Sequence, residues 1–405
     1  MFKDKSFLAV LAYSIIGLFA IFLLARFWLP SDYTLVGHDS GLPLDSKVFF
    51  ESRLFAWNEN IGFGVDNSYL FGSLPLHFFD YISSLIGNTL YAGNWFNLFF
   101  WLSLIFLSTV LFAYHFKNIF GIYFVFIFPI LIIFNFYLSQ SLFILERAKY
   151  SILAGTLIFL AILFKVLDKK ISILIGAILA SLTFFILNGG SLLGVSLYGN
   201  LLVILLAILI FYFFDGIAKK DFSSLRRLIL FFIVTFVIFL ALNSYQLLPY
   251  LPSIFNKSYF VHLGVETVAQ SKDWVNYISR DVSFLNLFRL QGVPTWYSQL
   301  GGANPQHSYA QLFLNNPLYI LISFIFPVLV FSSLILVKQA IQKKTILLFL
   351  LIVLIAMPFV AGTHPPFGFF YGFLYDHVPG FFVFRNPYYK SFINSGFLVC
   401  QSVSA

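Results

Sequence analysis

The sequence has one cysteine, Cys400, among its 405 residues. An internal disulfide is therefore impossible, and no zinc site can be made from paired cysteines. Charged residues are also scarce, at 10% of the chain, whereas an average soluble domain carries about a quarter. This shortage excludes an ordinary soluble domain. It also excludes a nucleic-acid-binding protein, because no soluble segment carries a clustered basic face with stacking aromatics.

Apolar residues take the place of the missing charges, at 60% of the chain with a mean hydropathy of +0.91. Since about 20 apolar residues cross the hydrocarbon core as a helix, runs of that length predict spans. Nine runs qualify, with approximate limits at 7–29, 94–114, 119–138, 150–167, 171–188, 197–214, 228–249, 317–337 and 345–361. We therefore predict an all-α integral membrane protein in which residues 1–405 form one polytopic unit of about 9–10 transmembrane helices.

A tenth apolar run begins near Phe392 and ends at Ala405. With about 14 residues it is too short to cross a membrane. Two interpretations stay open: the chain is truncated at its C-terminus relative to a longer protein, or it finishes with a partial helix. At the other end, the first run is long enough to span and is followed by no small-residue cleavage site, so we expect an uncleaved first helix.

The scarce charges predict the topology. The N-terminus and the short connections hold 13 basic residues and four acidic ones. The basic residues are Lys3, Lys5, Lys117, Lys165, Lys169, Lys170, Lys219, Lys220, Arg226, Arg227, Lys338, Lys343 and Lys344. Because basic loops resist translocation, we expect the N-terminus and these loops in the cytoplasm. The long segments at about 30–93, 250–316 and 362–391 then lie outside, and a site held on loops would face outward.

The first outer segment combines an acidic stretch with a predicted interfacial helix. Gly37-His38-Asp39 follows the first span closely, and partial desolvation at the membrane surface can raise the pKa of a carboxyl group toward the range of a general base. Further on, Ser73 is a suitable N-cap with Pro75 just inside, and apolar residues recur at spacings of three and four up to Gly87. We expect an amphipathic helix in the membrane interface; packing against the spans is the alternative.

Three stretches carry a resemblance to a known family. The first is Gly37-His38-Asp39 with the later Trp57 and Gly62-Phe63-Gly64. The second is FLNLFRLQG at 284–292 with Trp296, and the third is VPGFFVFRNPYYKSF at 378–392. With the order of spans and outer loops, they resemble the GT-C superfamily of polytopic glycosyltransferases, in particular the bacterial arabinofuranosyltransferase-like proteins and the multispanning proteins that glycosylate teichoic acid.

The resemblance implies a membrane glycosyltransferase with a polyprenyl-phosphate sugar as donor. Its acceptor would be a cell-envelope glycan, lipid or protein on the extracytoplasmic face. The resemblance points to Asp39 as the catalytic base, with His38 orienting the base or the acceptor. The rival carboxylates in the same segment are Asp45, Glu51 and Asp66.

Substrate contacts are expected from cations and an aromatic ring in the outer segments. A guanidinium can bind two phosphate oxygens at once, so Arg147 and Arg385, with Lys390, are candidates for the departing phosphate. Interfacial anchoring of basic residues, or pairing of Arg147 with Glu146, is the alternative explanation. Arg289 and Trp296 are candidate sugar contacts, and burial of Trp296 in its own loop is the alternative.

Metal binding and two other functions are alternatives to this prediction. His38 with Asp39, and His364 or His377 with Asp376, offer ligand atoms, but no ligand set has a fixed spacing, so we predict no metal and no cofactor beyond the lipid-linked donor. A transporter or flippase of a lipid-linked saccharide would carry ionisable residues near mid-span, and none is visible. A non-catalytic subunit for envelope assembly also stays open.

Overall fold

The computed structural model describes residues 5–29, 43, 45–55, 57–58, 65–66, 68–86, 90–134, 138, 147–187, 195–248, 268–289, 310–378, 381–384 and 387. Helices dominate them, with one antiparallel pair of two-residue strands, Trp57–Asn58 and Val65–Asp66. Six of the described helices are long and apolar enough to cross a membrane. The prediction of an all-α, multi-pass membrane protein is confirmed at this level.

The chain divides into two compact units, Met1–Val195 with Tyr212–Lys257, and Ser196–Phe211 with Ser258–Ala405. The first unit contains α1 (Lys5–Trp28), α2 (Ser46–Ser52), α3 (Leu74–Leu85), α4 (Leu90–His115), α5 (Lys117–Phe120), α6 (Ile122–Ile133), α7 (Arg147–Leu167), α8 (Ile173–Ile186) and α10 (Ser223–Leu242). Helix α9 (Val195–Lys219) contributes residues to both units, and a 3-10 helix (Ser68–Ser73) leads into α3.

Helix α7 is the centre of the first unit. It packs against α4, α8 and α10, and most of its side chains are buried. Helix α4 in turn packs against α1 and α6. Phenylalanine rings fill these contacts: the ring centroid of Phe112 lies 6.0 Å from that of Phe128 and 6.4 Å from that of Phe164. The abundant aromatics thus have a packing role in the core.

The second unit contains α11 (Val268–Ser279), α12 (Phe284–Phe288), α13 (Ala310–Asn315), α14 (Pro317–Ser323), α15 (Ile325–Leu336), α16 (Ala340–Ala361), α17 (Gly368–His377) and a 3-10 helix (Phe381–Phe384). Val275, Tyr371 and Tyr375 form a small core, against which the rings of Phe381 and Phe384 pack. The Tyr371 hydroxyl donates a hydrogen bond to the carbonyl of Phe384, and burial raises the pKa of this tyrosine.

The predicted spans correspond to helices with some differences. Long helices α1, α4, α7, α9, α10 and α16 match six of the nine apolar runs. The runs at 119–138 and 171–188 contain the shorter helices α6 and α8. The run at 317–337 is divided between α14 and α15, because α14 ends with its C-cap at Phe324. Hydropathy alone does not detect that break, since apolar residues continue on both sides of Ser323.

Contacts between helix ends show which connections of the first unit lie at the same end of its helices. Lys117 Nζ donates to the hydroxyl of Ser6, so the start of α1 meets the connection after α4. His115 Nε2 lies 3.6 Å from Asp168 Oδ2, so the end of α4 meets the end of α7. At the opposite ends, Arg26 donates to the Tyr91 hydroxyl, which joins the end of α1 to the start of α4. The basic connections of this unit therefore lie together, as the charge pattern predicts.

Candidate functional site

Helix α3 turns its polar face toward the protein. Asp80 is 1% exposed and Ser83 is 0% exposed, whereas Phe78 is 49% exposed and Leu85 is 65% exposed. On its inner side, the ring centroid of Phe79 lies 3.9 Å from that of Phe100 on α4. Ser73 occupies the N-cap position, as predicted from the sequence, but its side chain makes no capping hydrogen bond.

A buried ion pair joins α3 to the first residue of α7. The guanidinium of Arg147 contacts Asp80 Oδ2, and both side chains are almost completely removed from solvent. His77 lies one turn before Asp80, with its Nδ1 atom 3.4 Å from the same carboxylate oxygen. We call Asp80, Arg147 and His77 the α3–α7 cluster. Among the described residues, no donor makes a hydrogen bond to Asp80 Oδ1, the other oxygen of the carboxylate.

Hydrogen bonds to α4 hold the polar face of α3 in place. Trp101 Nε1 donates to Asn97 Oδ1 over 3.2 Å, and Asn97 Nδ2 donates to Ser83 Oγ over 2.8 Å. The Ser83 hydroxyl donates to the carbonyl of Asp80 over 2.8 Å. Because all of these groups are buried, the chain of hydrogen bonds fixes the backbone that carries Asp80.

Two further cations, Lys149 and Arg53, lie near members of the cluster. Lys149 is buried in the first turn of α7 beside Arg147 in sequence. Arg53 stacks on Phe49, with its guanidinium carbon 4.5 Å from the ring centroid, and the Phe49 ring meets the His77 ring edge-on at 4.7 Å. The positive end of a helix dipole favours anions, and Arg147 and Lys149 add positive charge to the first turn of α7.

Burial lowers the pKa of His77 below its usual value near 6.5. The Asp80 carboxylate opposes this shift, while the charges of Arg147 and Arg53 add to it. The imidazole is therefore neutral at pH 7. A neutral imidazole can accept a proton or orient a hydroxyl, and Asp80 orients the ring by contacting its Nδ1 atom.

Asp45 and Glu51, which also lie between α1 and α4, have local contacts. Asp45 Oδ1 accepts a hydrogen bond of 2.9 Å from the amide of Val48, and so caps α2. Glu51 lies 3.9 Å from Lys47 on the surface of the same helix. Asp66 pairs with Trp57 in the short strand ladder. These contacts give Asp45 and Glu51 structural explanations that need no substrate.

Of the residues predicted for the site, Arg147 and Arg289 lie in described parts of the chain. Arg147 takes part in the α3–α7 cluster, and its carboxylate partner is Asp80. Five predicted residues lie outside the described residues: His38, Asp39, Trp296, Arg385 and Lys390. Their predicted roles stay predictions.

Arg289 is bound within the second unit. Its Nε atom donates to Ser323 Oγ over 2.7 Å, and Nη2 donates to the carbonyl of Phe313 over 3.2 Å. Its guanidinium carbon lies 5.4 Å from the ring centroid of Phe324. Arg289 therefore ties α12 to α13 and α14, and its role as a sugar contact stays a prediction.

Helical periodicity puts His77, Asp80, Ser83 and Ser84 on one side of α3, but the sequence gives no reason to choose Asp80 as a functional residue. A carboxylate three residues after a histidine, on a short helix that is otherwise apolar, was the available signal. Its meaning depends on whether that side faces water or protein, which amphipathicity alone cannot decide.

Metal ligands do not cluster in the described part of the chain: no group of three or more His, Cys, Asp or Glu side chains is suitably placed there. Comparison with family models, with curated proteins and with solved structures finds no match to this chain. A functional assignment therefore rests on the α3–α7 cluster and the sequence motifs.

Proposed function

We propose that this chain is a membrane glycosyltransferase. It transfers a sugar from a polyprenyl-phosphate donor to a cell-envelope glycan, lipid or protein acceptor on the extracytoplasmic face. The observation that supports this proposal best is the α3–α7 cluster, a buried arrangement of cations and a carboxylate at the end of the first unit opposite its basic connections.

The cluster suits the phosphate group that leaves the donor. When the bond between the anomeric carbon and the phosphate oxygen breaks, negative charge develops on the phosphate, and fixed cations stabilise it. Arg147 lies at the positive end of α7 and can bind two phosphate oxygens. Asp80 acts as a positioning residue that holds the guanidinium, and its Oδ1 atom accepts a hydrogen bond from a hydroxyl of the donor sugar.

The proton of the acceptor hydroxyl goes to Asp39 in this mechanism. The acceptor oxygen forms a bond to the anomeric carbon, and polyprenyl phosphate departs with the electron pair of the broken bond. His38 orients the base or the acceptor. Arg385 and Lys390 are further phosphate contacts, and Arg289 and Trp296 are sugar contacts, as the sequence motifs predict.

Helix α3 fits a position in the membrane interface. Its exposed residues Phe78, Ile82, Leu85 and Ile86 are apolar, while its polar side faces the protein. An interfacial helix buries such an apolar side among acyl chains. A lipid-linked donor lies in the same layer, so its phosphate can approach the start of α7 without leaving the membrane.

An assay of sugar transfer tests the proposal. The full chain in nanodiscs is given labelled polyprenyl-phosphate pentoses and hexoses with isolated envelope glycan, and label in the glycan is measured. We expect Asp39→Asn to lower kcat by about 100-fold or more, the usual contribution of a general base. Arg147→Lys should raise KM for the donor more than it lowers kcat, because one ammonium cannot replace the planar guanidinium.

Asp45→Asn is the matched control, since it removes a carboxylate from the same outer segment. Asparagine caps a helix as well as aspartate does, so this variant should keep full activity. Unchanged turnover in both Asp39→Asn and Asp39→Ala would remove Asp39 as the base. No covalent product with any donor would overturn the glycosyltransferase proposal.

A second candidate function, transport of a lipid-linked saccharide, is favoured by one observation. His77 and Asp80 form a buried titratable pair in a membrane protein, and such pairs often bind coupling ions. Proteoliposomes discriminate the two functions. Movement of a labelled lipid-linked saccharide across the bilayer without covalent transfer, lost in Asp80→Asn, would support the transporter.

A further inference from the structure

Two turns at the other end of the first unit form one basic surface. The first connects α7 to α8 at residues 168–172, and the second connects α9 to α10 at residues 220–222. Arg227 of α10 donates hydrogen bonds to the carbonyls of Val166 (2.5 Å) and Ile171 (3.0 Å), which fastens the first turn to α10. The charge of Lys169 in the first turn also acts on Asp221 in the second.

Every acidic side chain of this surface is already engaged. Asp168 pairs with Lys170 at 2.8 Å, and Asp215 pairs with Lys219 at 3.2 Å. Asp221 accepts hydrogen bonds from the amide and the hydroxyl of Ser223, at 2.8 and 2.9 Å. These bonds lower the pKa of Asp221, with smaller contributions from Lys169 and Lys219.

Three cations remain after this pairing. Lys169, Lys220 and Arg226 are exposed, and none forms an ion pair with a described residue. Lys169 and Lys220 also have left-handed backbone conformations, with φ of 60° and 54°. Glycine or asparagine usually occupies that position after a helix, since other side chains are strained there. Both turns therefore keep a lysine where the backbone favours a smaller residue.

An exposed apolar strip adjoins the basic surface. Phe213, Phe214 and Ile217 lie on the last turns of α9, and Phe222 lies in the turn that follows; all four are 46–62% exposed. The ring of Phe222 packs over Gly216, where an added Cβ would lie 2.8 Å from it. The ring centroids of Phe213 and Phe222 are 6.4 Å apart. The strip thus continues from the helix into the turn that carries Lys220.

We propose that this surface, formed by Lys169, Lys220, Arg226 and the adjoining strip Phe213, Phe214, Ile217 and Phe222, binds an anionic phospholipid. The three cations bind the headgroup phosphate, and the acyl chains lie along the strip. Charge complementarity selects an anionic headgroup, and the apolar residues select a ligand with hydrocarbon chains. A free phosphate ion would use only the basic half of the surface.

The general enrichment of cytoplasmic loops in Lys and Arg does not explain this arrangement. The bias of cytoplasmic loops toward Lys and Arg depends on their number and not on their clustering. Here Arg227 links the α7–α8 turn to α10, which follows the α9–α10 turn. The nearby carboxylates of Asp168, Asp215 and Asp221 each have a local partner. The remaining positive charge is concentrated beside exposed aromatic rings, as in a headgroup site.

Native mass spectrometry of the full chain in detergent, with added phosphatidylglycerol or phosphatidylcholine, tests the proposal. Wild-type protein should retain phosphatidylglycerol more tightly, and added salt should weaken that preference. The triple variant Lys169→Gln, Lys220→Gln, Arg226→Gln should lose about fivefold in affinity for each charge removed. The control variant Lys5→Gln, Lys338→Gln, Lys343→Gln removes the same charge from other exposed positions and should bind normally.

Three further measurements distinguish a lipid site from misfolding of the variant and from a site for a free anion. Lys169→Arg with Lys220→Arg preserves charge and should preserve binding, which covers the case in which the glutamine variant misfolds. Phe214→Gln with Ile217→Gln should weaken phosphatidylglycerol binding, and excess inorganic phosphate should not displace the lipid. Equal affinity of the wild-type protein for both lipids, or equal losses in the two triple variants, would overturn the proposal. Displacement by phosphate, with no effect of the strip variants, would also overturn it by showing a site for a free anion.

Discussion

Arg147, the first residue of α7, forms a buried ion pair with Asp80 in the middle of α3. The pair joins the segment between α1 and α4 to the central helix of the first unit. Removing two charges from water costs several kcal/mol for each ion, and only close pairing offsets that cost. A buried pair is therefore weak evidence for added stability and better evidence that both groups are held for a purpose, which we propose is phosphate binding.

Removing one partner of this pair should destabilise the protein strongly. Asp80→Ala leaves the guanidinium of Arg147 buried without its carboxylate, and we expect a loss of about 3–5 kcal/mol in the free energy of unfolding. The measurement is chemical denaturation of purified protein in detergent. The double variant Asp80→Leu, Arg147→Met should lose much less than the sum of the single variants, because no charge is left unpaired.

Glu51→Gln is the control for the ion pair. It breaks the exposed contact with Lys47 in the same part of the chain, between α1 and α4, and should change stability by less than about 0.5 kcal/mol. If Asp80→Ala were equally mild, the carboxylate would be solvated and the buried cluster would be wrong.

Acidification should weaken the fold through His77. Burial lowers the pKa of His77 in the folded protein, whereas the unfolded chain titrates near its usual value of about 6.5. Between these two pKa values the unfolded state binds more protons, so the free energy of unfolding falls as pH falls, by at most about 1.4 kcal/mol per pH unit. Above about pH 7 this contribution is fully present.

His77→Gln should flatten that pH dependence. Stability measured from neutral to mildly acidic pH in the wild-type protein and in His77→Gln isolates the contribution of this residue. Parallel curves for the two proteins would show that His77 does not carry the effect.

The contact between α1 and α4 should be sensitive to one methyl group. A Cβ added at Gly17 would overlap the ring of Phe106, which is itself buried. We expect Gly17→Ala to destabilise the protein by about 1–3 kcal/mol through overpacking, measured as a lower midpoint of denaturation. Gly372→Ala on α17 is the control, because nothing lies within 4 Å of its added Cβ. There alanine should be neutral or stabilising by up to about 1 kcal/mol.

Arg289→Ala should lower stability because its guanidinium binds Ser323 and the carbonyl of Phe313. Loss of hydrogen bonds to a charged group suggests about 1.5–3 kcal/mol. Arg280→Ala is the matched control: Arg280 is exposed and pairs with its neighbour Asp281 at 3.1 Å, so its loss should cost under about 1 kcal/mol. Equal thermal midpoints for the two variants would contradict the structural role of Arg289.

Helix α3 and Arg147 show which features could be predicted from the sequence and which could not. The spacing of apolar residues after Ser73 located α3 to within a residue or two, since helical periodicity is a local property. The partner of Arg147 could not be found in the same way. Asp80, which contacts Arg147, is distant in sequence and reaches it only after α3 packs against its neighbours.

Two orientations of α3 were open from the sequence: its apolar side in the membrane interface, or that side packed against the spans. His77 and Asp80 occupy the polar side of an amphipathic helix, and in water that side would be solvated. Here the apolar side is exposed, because in a membrane protein the surroundings can be as apolar as the core. Hydropathy therefore identified the two faces and could not say which faces inward.

The sequence by itself determined the class of protein and the distribution of its charges, since membrane insertion depends on the length of apolar runs and on basic loops. Tertiary structure decided which scattered polar residues meet. It brought Asp80 to Arg147 and fastened Arg227 to the turn that carries Lys169. The physical reason is that a buried charge must find a partner wherever packing places one, and that choice depends on helix contacts rather than on neighbours in the chain.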